Sequence, residues 1–268
     1  MSFPRTSLQT ALHRFLGVER WRALGEALKA ETQLCPVPKQ GSWAVLGSTL
    51  VALLPLPFIY LNSVQPSATQ LDLPLLVIGV TTLVAILLRG RMQLYYNRVT
   101  TWREAFSLTH TAFALGCIPA VLILFFSPEL FSQQQQFVQE KLVTKAPQQI
   151  SQTMLILQTL LTFLLVALWA SVTEEIIYRG LLVSVVRRWD LGMAQKYKDI
   201  LACVLGGSIF GLAHLPTWGP IAALALVGLG IGFSLGYIAN GEKLMPLIVY
   251  HFLFDMISMC VSSLGVFR

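Results

Sequence analysis

Residues 152–179 read QTMLILQTLLTFLLVALWASVTEEIIYR. From Gln152 to Thr173 no side chain is charged, which is long enough to cross about 30 Å of hydrocarbon, a distance that takes about 20 helical residues. The run is apolar on every face, whereas a helix on a soluble core keeps one polar face. It ends in two adjacent carboxylates, Glu174 and Glu175, followed four residues later by Arg179. This stretch therefore reads as a membrane span that carries its charge inside.

The rest of the chain agrees. Its 268 residues are 55% hydrophobic and 12% charged, with a mean hydropathy of +0.66, outside the range of soluble globular domains. Apolar runs recur at about 43–63, 71–89, 106–127, 152–179 (with an extension to Arg188), 199–215, 219–239 and 244–264. The expected fold class is all-α, a polytopic transmembrane helical bundle of about seven spans. A Pro-rich reversal falls between spans five and six at Leu215-Pro216-Thr217-Trp218-Gly219-Pro220, and Asn240-Gly241 turns the chain between six and seven. Residues 7–31, with Leu8, Leu12, Phe15, Trp21, Leu24 and Leu28 at near-helical spacing, form an amphipathic helix. It either lies on the membrane surface or packs on the body of the protein. The polar connection 128–151 has room for a short surface helix. Three parts follow: an N-terminal cytoplasmic or interfacial segment (1–42), N-terminal spans with the polar loop (43–149), and a C-terminal core (150–268).

The net charge of +6 is a matter of topology rather than of nucleic-acid binding. With the N-terminus inside, the cytoplasm receives the basic residues of 1–42, 89–103, 179–198 and Lys243, sixteen of nineteen. Lys141, Lys145 and Arg268 remain opposite, so the positive-inside rule gives an N-in, C-out chain. Cys117, Cys203 and Cys260 lie in apolar runs and Cys35 stands apart, so no disulfide framework is expected. The first 42 residues hold scattered arginines and no continuous apolar core, so no cleavable signal peptide is expected.

Ionisable residues inside a membrane are costly and mark function by default. Glu174, Glu175, His214, His251 and Asp255 all fall in spans between 174 and 255. On a helix Glu175 and Arg179 are four residues apart and pair, while Glu174 points about 100° away and is free to serve as a general base. The bland alternative is an ion network at a helix end with Arg179 snorkelling to the interface. Phe210 and His214 share a helix face, and the glycines before them, Gly206 and Gly207, allow a close helix approach. His251 and Asp255 are likewise four apart, so that Asp255 can fix the tautomer of His251. At 1.5 Å per residue Glu174 and His214 lie about 21 and 22 Å from the shared connection, and His251 about 12 Å from Lys243, so the three can meet in the cytoplasmic half. Gly228, Gly232 and Gly236 form a small-residue packing stripe.

Taken in order, EExxxR (Glu174, Glu175, Arg179), FxxxH (Phe210, His214) and HxxxD (His251, Asp255) resemble the motifs of the CAAX protease and bacteriocin-processing family, also called Abi, which includes type II CAAX prenyl endopeptidases. The resemblance covers about 150–264 and implies an intramembrane endopeptidase acting on a membrane-associated or lipidated peptide. It implies that Glu174 activates water with His214, that His251 and Asp255 stabilise the oxyanion or orient the others, and that Glu175 and Arg179 hold the helix. It also implies a metalloprotease alternative, with Glu174, His214 and His251 as Zn²⁺ ligands. Asp255 stands where asparagine is common in the family, and an ionised Asp is no oxyanion donor. Two other classes remain: a transporter or channel using the buried Glu and His, and a non-catalytic immunity or scaffold protein on the same fold.

Overall fold

A computed structural model describes residues 18–34, 41–55, 57, 72–91, 101–126 and 152–263, and no strand occurs among them. The helices are α1 (Val18–Leu34), α2 (Ser42–Leu53), α3 (Asp72–Arg91), α4 (Trp102–Phe126) and α5 (Gln152–Glu174). A π-helical stretch (Glu175–Val183) and α6 (Ser184–Arg187) continue α5 without a break, and α7 (Gln195–Ala239) and α8 (Met245–Ser263) complete the bundle. Three helical runs are long and apolar enough to cross a membrane: Trp102–Ile123, Ile156–Arg187 and Gln195–Ala239. Shorter apolar helices lie at Ser42–Leu53, Val77–Leu87 and Met245–Val261. The outer faces stay apolar, with Trp43, Leu87, Phe125 and Leu165 all exposed, as lipid-facing surfaces are. The fold is the expected helical membrane bundle.

α7 is two helices. At Gly219 the backbone takes φ 77° and ψ 173°, which a glycine adopts without a Cβ penalty, and Pro220 follows. The limbs fold back antiparallel: a Cβ on Gly207 would meet Ile231, one on Gly211 would meet Ala223 and Val227, and one on Gly206 would meet Ser234. The expected reversal at 215–220 is thus present, and spans five and six are one hairpin.

The glycine stripe of the second limb packs on α4 as scaffold. Gly228 and Gly232 approach Gly116, and Gly236 approaches Thr109 and Ala112. A Cβ on Gly116 would stand 2.5 Å from the carbonyl oxygen of Gly228, closer than packed atoms allow, so the two backbones touch only because both sides lack a side chain. Gly116→Leu should therefore lower stability by about 1–3 kcal/mol or more, read as a lower thermal midpoint in detergent. α4 itself starts at a capping box: the Thr101 amide donates to Glu104 at 2.9 Å, and the Glu104 amide donates to the Thr101 hydroxyl at 3.3 Å.

α1 resolves one of the two alternatives left open for the N-terminal helix. Leu24 and Ala27 are buried against Leu108, Ala112 and Ala239, with Trp21 and Leu28 partly buried beside them. The helix packs on the body of the protein. Its expected first turns (7–17), the polar connection 128–151 and Cys35 lie outside the described residues.

Candidate active site

The span that decided the fold changes its winding where its charges begin. Residues 175–183 are π-helical, a rare form that frequently occurs at functional sites. The α-helical register expected for Glu175–Arg179 is thus replaced by a wider one. Ser184 closes it: its backbone N–H and its hydroxyl both donate to the Arg179 carbonyl, five residues back.

Arg179 is fully buried. Its Nη1 donates to Glu175 Oε1 at 3.1 Å and its Nη2 to the Gly230 carbonyl at 3.3 Å. Its guanidinium lies 4.6 Å from the Phe210 ring and 5.2 Å from Phe233, so two aromatic faces stabilise the cation where water cannot. The snorkelling alternative is excluded, because Arg179 reaches inward. The Gly230 carbonyl accepts the guanidinium alongside the Ser234 hydroxyl, which donates to it at 2.8 Å.

The five ionisable residues singled out in sequence converge. Glu174 Oε1 lies 3.7 Å from His214 Nε2, and Glu174 Oε2 lies 3.8 Å from His251 Nε2. Asp255 Oδ2 stands 3.5 Å from the same His251 nitrogen. α5 with the π-helical stretch, the first limb of α7, and α8 each supply one motif, and the three motifs meet. The side chains differ in access: Glu174 is 24% exposed and His214 and Asp255 each 20%, whereas Glu175 is fully buried. Glu174, His214 and Asp255 therefore face the open side, and Glu175 stands behind them.

Hydrogen bonds fix both imidazoles. His214 Nδ1–H donates to the Phe210 carbonyl at 2.8 Å, so in the neutral ring Nε2 carries the lone pair and faces Glu174. His251 Nδ1–H donates to Glu175 Oε1 at 2.9 Å. Here the sequence reading needs correction. Asp255 was expected to fix the tautomer of His251, yet Glu175 does so, at the nitrogen away from Asp255. Glu175 has two tasks, holding Arg179 and orienting His251, because Nδ1 points back across the bundle while Nε2 points to the open side. Phe210 does more than pack: its ring lies 4.7 Å from His214 and 6.3 Å from His251 and covers Arg179.

Among the described residues no group of three His, Cys, Asp or Glu side chains is arranged to hold a metal ion. Glu174 directs one oxygen to each histidine rather than sharing a point with both. Glu174, His214 and His251, the Zn²⁺ ligands that the resemblance implies, are not set in such a group.

Several residues escaped sequence reading. Arg187 and Arg188 were counted as loop charges, but both are buried. Arg187 pairs with Asp199 at 2.8 Å and with Glu242, and Arg188 with Glu242 at 2.6 Å. Glu242 has a left-handed backbone, φ 60°, uncommon for a side chain of this size, and its carboxylate ties the turn before α8 to the end of α6. The signal was an acid set directly after Asn240-Gly241, opposite a basic pair. His110, inside α4, was also passed over; its Nδ1 lies 2.7 Å from the Tyr250 hydroxyl.

Residues 156–257 match the family model described as type II CAAX prenyl endopeptidase Rce1-like. The matched segment holds all seven motif residues, and it is similar to the CAAX-type intramembrane proteases, as the motifs implied. No curated protein and no solved structure matches the chain.

Proposed function

We propose that this integral membrane protein, with its Rce1-like segment, is an endopeptidase that cleaves a membrane-associated peptide with water activated by Glu174 and His214, residues 150–268 being its catalytic core. One observation carries the reading. Glu174 Oε1 and the lone-pair nitrogen of His214 are two acceptors facing each other at 3.7 Å, too far apart for a direct hydrogen bond and suited to a bridging water that donates one hydrogen to each.

In the reaction the water oxygen attacks the scissile carbonyl carbon as its proton passes to Glu174. The carbonyl oxygen becomes the oxyanion of a tetrahedral intermediate, within reach of His251 Nε2, which donates to it when the ring carries both protons. The C–N bond then breaks and Glu174 returns the proton to the leaving amine. Glu175 and Arg179 do not touch substrate; they hold His251 and the π-helical turn. Asp255, on the open side of His251, orients the second nitrogen. The family description names prenylated CAAX substrates; for this chain a lipid anchor would serve to bring the peptide to the site.

The test is cleavage of a membrane-anchored peptide by the protein in liposomes. His214→Ala and Glu174→Ala should each abolish cleavage while inserting normally, and cleavage should survive dialysis against a chelator. Unchanged cleavage by both variants overturns the reading, and activity lost to chelation and restored by Zn²⁺ overturns its metal-free form.

A further inference from the structure

The second limb of α7 packs on α4 as scaffold, yet it also sends one side chain to the site. Phe233 follows Gly232, where the limb is pressed on Gly116 of α4, and it is 2% exposed. It belongs to none of the three motifs. Its ring lies 4.9 Å from the His251 imidazole with only 31° between the planes, so the two rings meet face to face. Phe210 approaches the same imidazole edge-on, at 6.3 Å and 70°.

The face contact supplies what hydrogen bonding leaves open. The bond between Nδ1 and Glu175 Oε1 fixes one point of the imidazole, about which its plane can still tilt. A tilt would swing Nε2 off the line to an acceptor on the open side, and hydrogen bonds weaken steeply off line. A flat partner against the ring face removes that freedom, at a separation where aromatic pairs attract. Phe233 cannot tilt along with the imidazole, because it is hemmed in turn. Phe113 of α4 lies 5.1 Å from its ring, the Arg179 guanidinium 5.2 Å and Tyr250 6.3 Å.

We propose that Phe233 is a positioning residue of the peptidase, its ring face holding the His251 imidazole in the plane that aims Nε2 at the oxyanion. The assignment rests on the endopeptidase reading above. Glu175 then sets where the imidazole sits and Phe233 sets how it is turned, so two different elements define one donor direction.

Phe233→Leu keeps the site apolar and removes the flat face. In the liposome assay kcat should fall about 10–100-fold, as misplacing a catalytic group does, with KM unchanged. Phe163→Leu is the packing control: Phe163 is fully buried in α5, eleven residues before Glu174 and so about 16 Å along the helix. It should lower the thermal midpoint and keep kcat. Phe233→Met, whose flexible chain fills irregular gaps, takes the same measurements if Phe233→Leu does not fold. In protein carrying isotope-labelled histidine, the ring-proton signals of His251, identified by their loss in His251→Gln, should move downfield in Phe233→Leu as the shielding ring leaves. Signals that stay in place overturn the assignment. So does a kcat within about twofold of wild type, a change in KM alone, or an equal fall in Phe163→Leu, each of which leaves the endopeptidase reading standing. Wild-type protein that cleaves no membrane-anchored peptide overturns that reading and the catalytic purpose of the contact, while the histidine signals still test the contact itself.

Discussion

Glu174→Gln should lower the rate of cleavage by about 10²–10⁴-fold, the usual contribution of a general base, and leave the thermal midpoint close to wild type. The amide has the same shape, and Glu174 is the partly exposed member of the pair, so no buried charge loses its partner. What disappears is the capacity to take a proton from water bound between residue 174 and His214. Glu175→Gln makes the contrasting variant. Glu175 Oε1 receives both Arg179 and His251 at 3.1 and 2.9 Å, and its neutralisation leaves a fully buried guanidinium without a counter-ion. The second variant should lose stability and activity together. Single-turnover cleavage and melting of the two proteins, measured side by side, check the division. A Glu174→Gln protein that cleaves at the wild-type rate would sink the base assignment.

Arg179→Ala should destabilise the protein by about 3–5 kcal/mol, the cost of breaking a buried pair from one side. The loss has three parts: Glu175 becomes an uncompensated carboxylate, the Gly230 carbonyl loses one of its donors and keeps the Ser234 hydroxyl, and the space between Phe210 and Phe233 opens. Arg179→Lys should recover little, because one ammonium cannot reach Glu175 and Gly230 with a planar fork while lying against two rings. Arg179→Met together with Glu175→Leu should recover stability, since an apolar pair of similar volume often replaces a buried ion pair without loss. That double variant should remain inactive, because His251 would no longer be oriented. Denaturation in detergent micelles measures the first three effects, and cleavage measures the last.

Sequence displayed the apolar helices and the ionisable residues that converge for one physical reason: charge in an apolar helix is conspicuous. Glu174, Glu175, His214, His251 and Asp255 stood out against lipid-compatible surroundings, and counting residues from the loops placed Glu174 and His214 at similar depth, with His251 shallower. The reversal at Gly219 was equally visible, since proline and glycine punctuate helices locally. What stayed hidden depends on direction rather than on composition. The partner of His251 is set by which ring nitrogen faces which helix, and spacing alone favoured Asp255 over Glu175. The burial of Arg187 and Arg188 depends on Glu242, which lies 55 and 54 residues further along the chain. His110 sits in a stretch of α4, from Ala105 to Phe126, that is otherwise uncharged.

The π-helical stretch bears on how such a site can change. Each of its turns takes in one residue more than an α-helical turn, so the two ends of the rod from Gln152 to Arg187 are set out of phase, by about 100° for each added residue. Glu174 lies on the near side of that shift, and Arg187, clamped to Glu242, on the far side. The angle at which the base meets His214 is therefore a property of residue number between two anchors, like the timing between two gears on one shaft. Side chains along 176–183 can be exchanged with the timing preserved. Removing a single residue there would turn the whole lipid-embedded half of the rod and carry Glu174 away from both histidines, with every motif still present in the sequence.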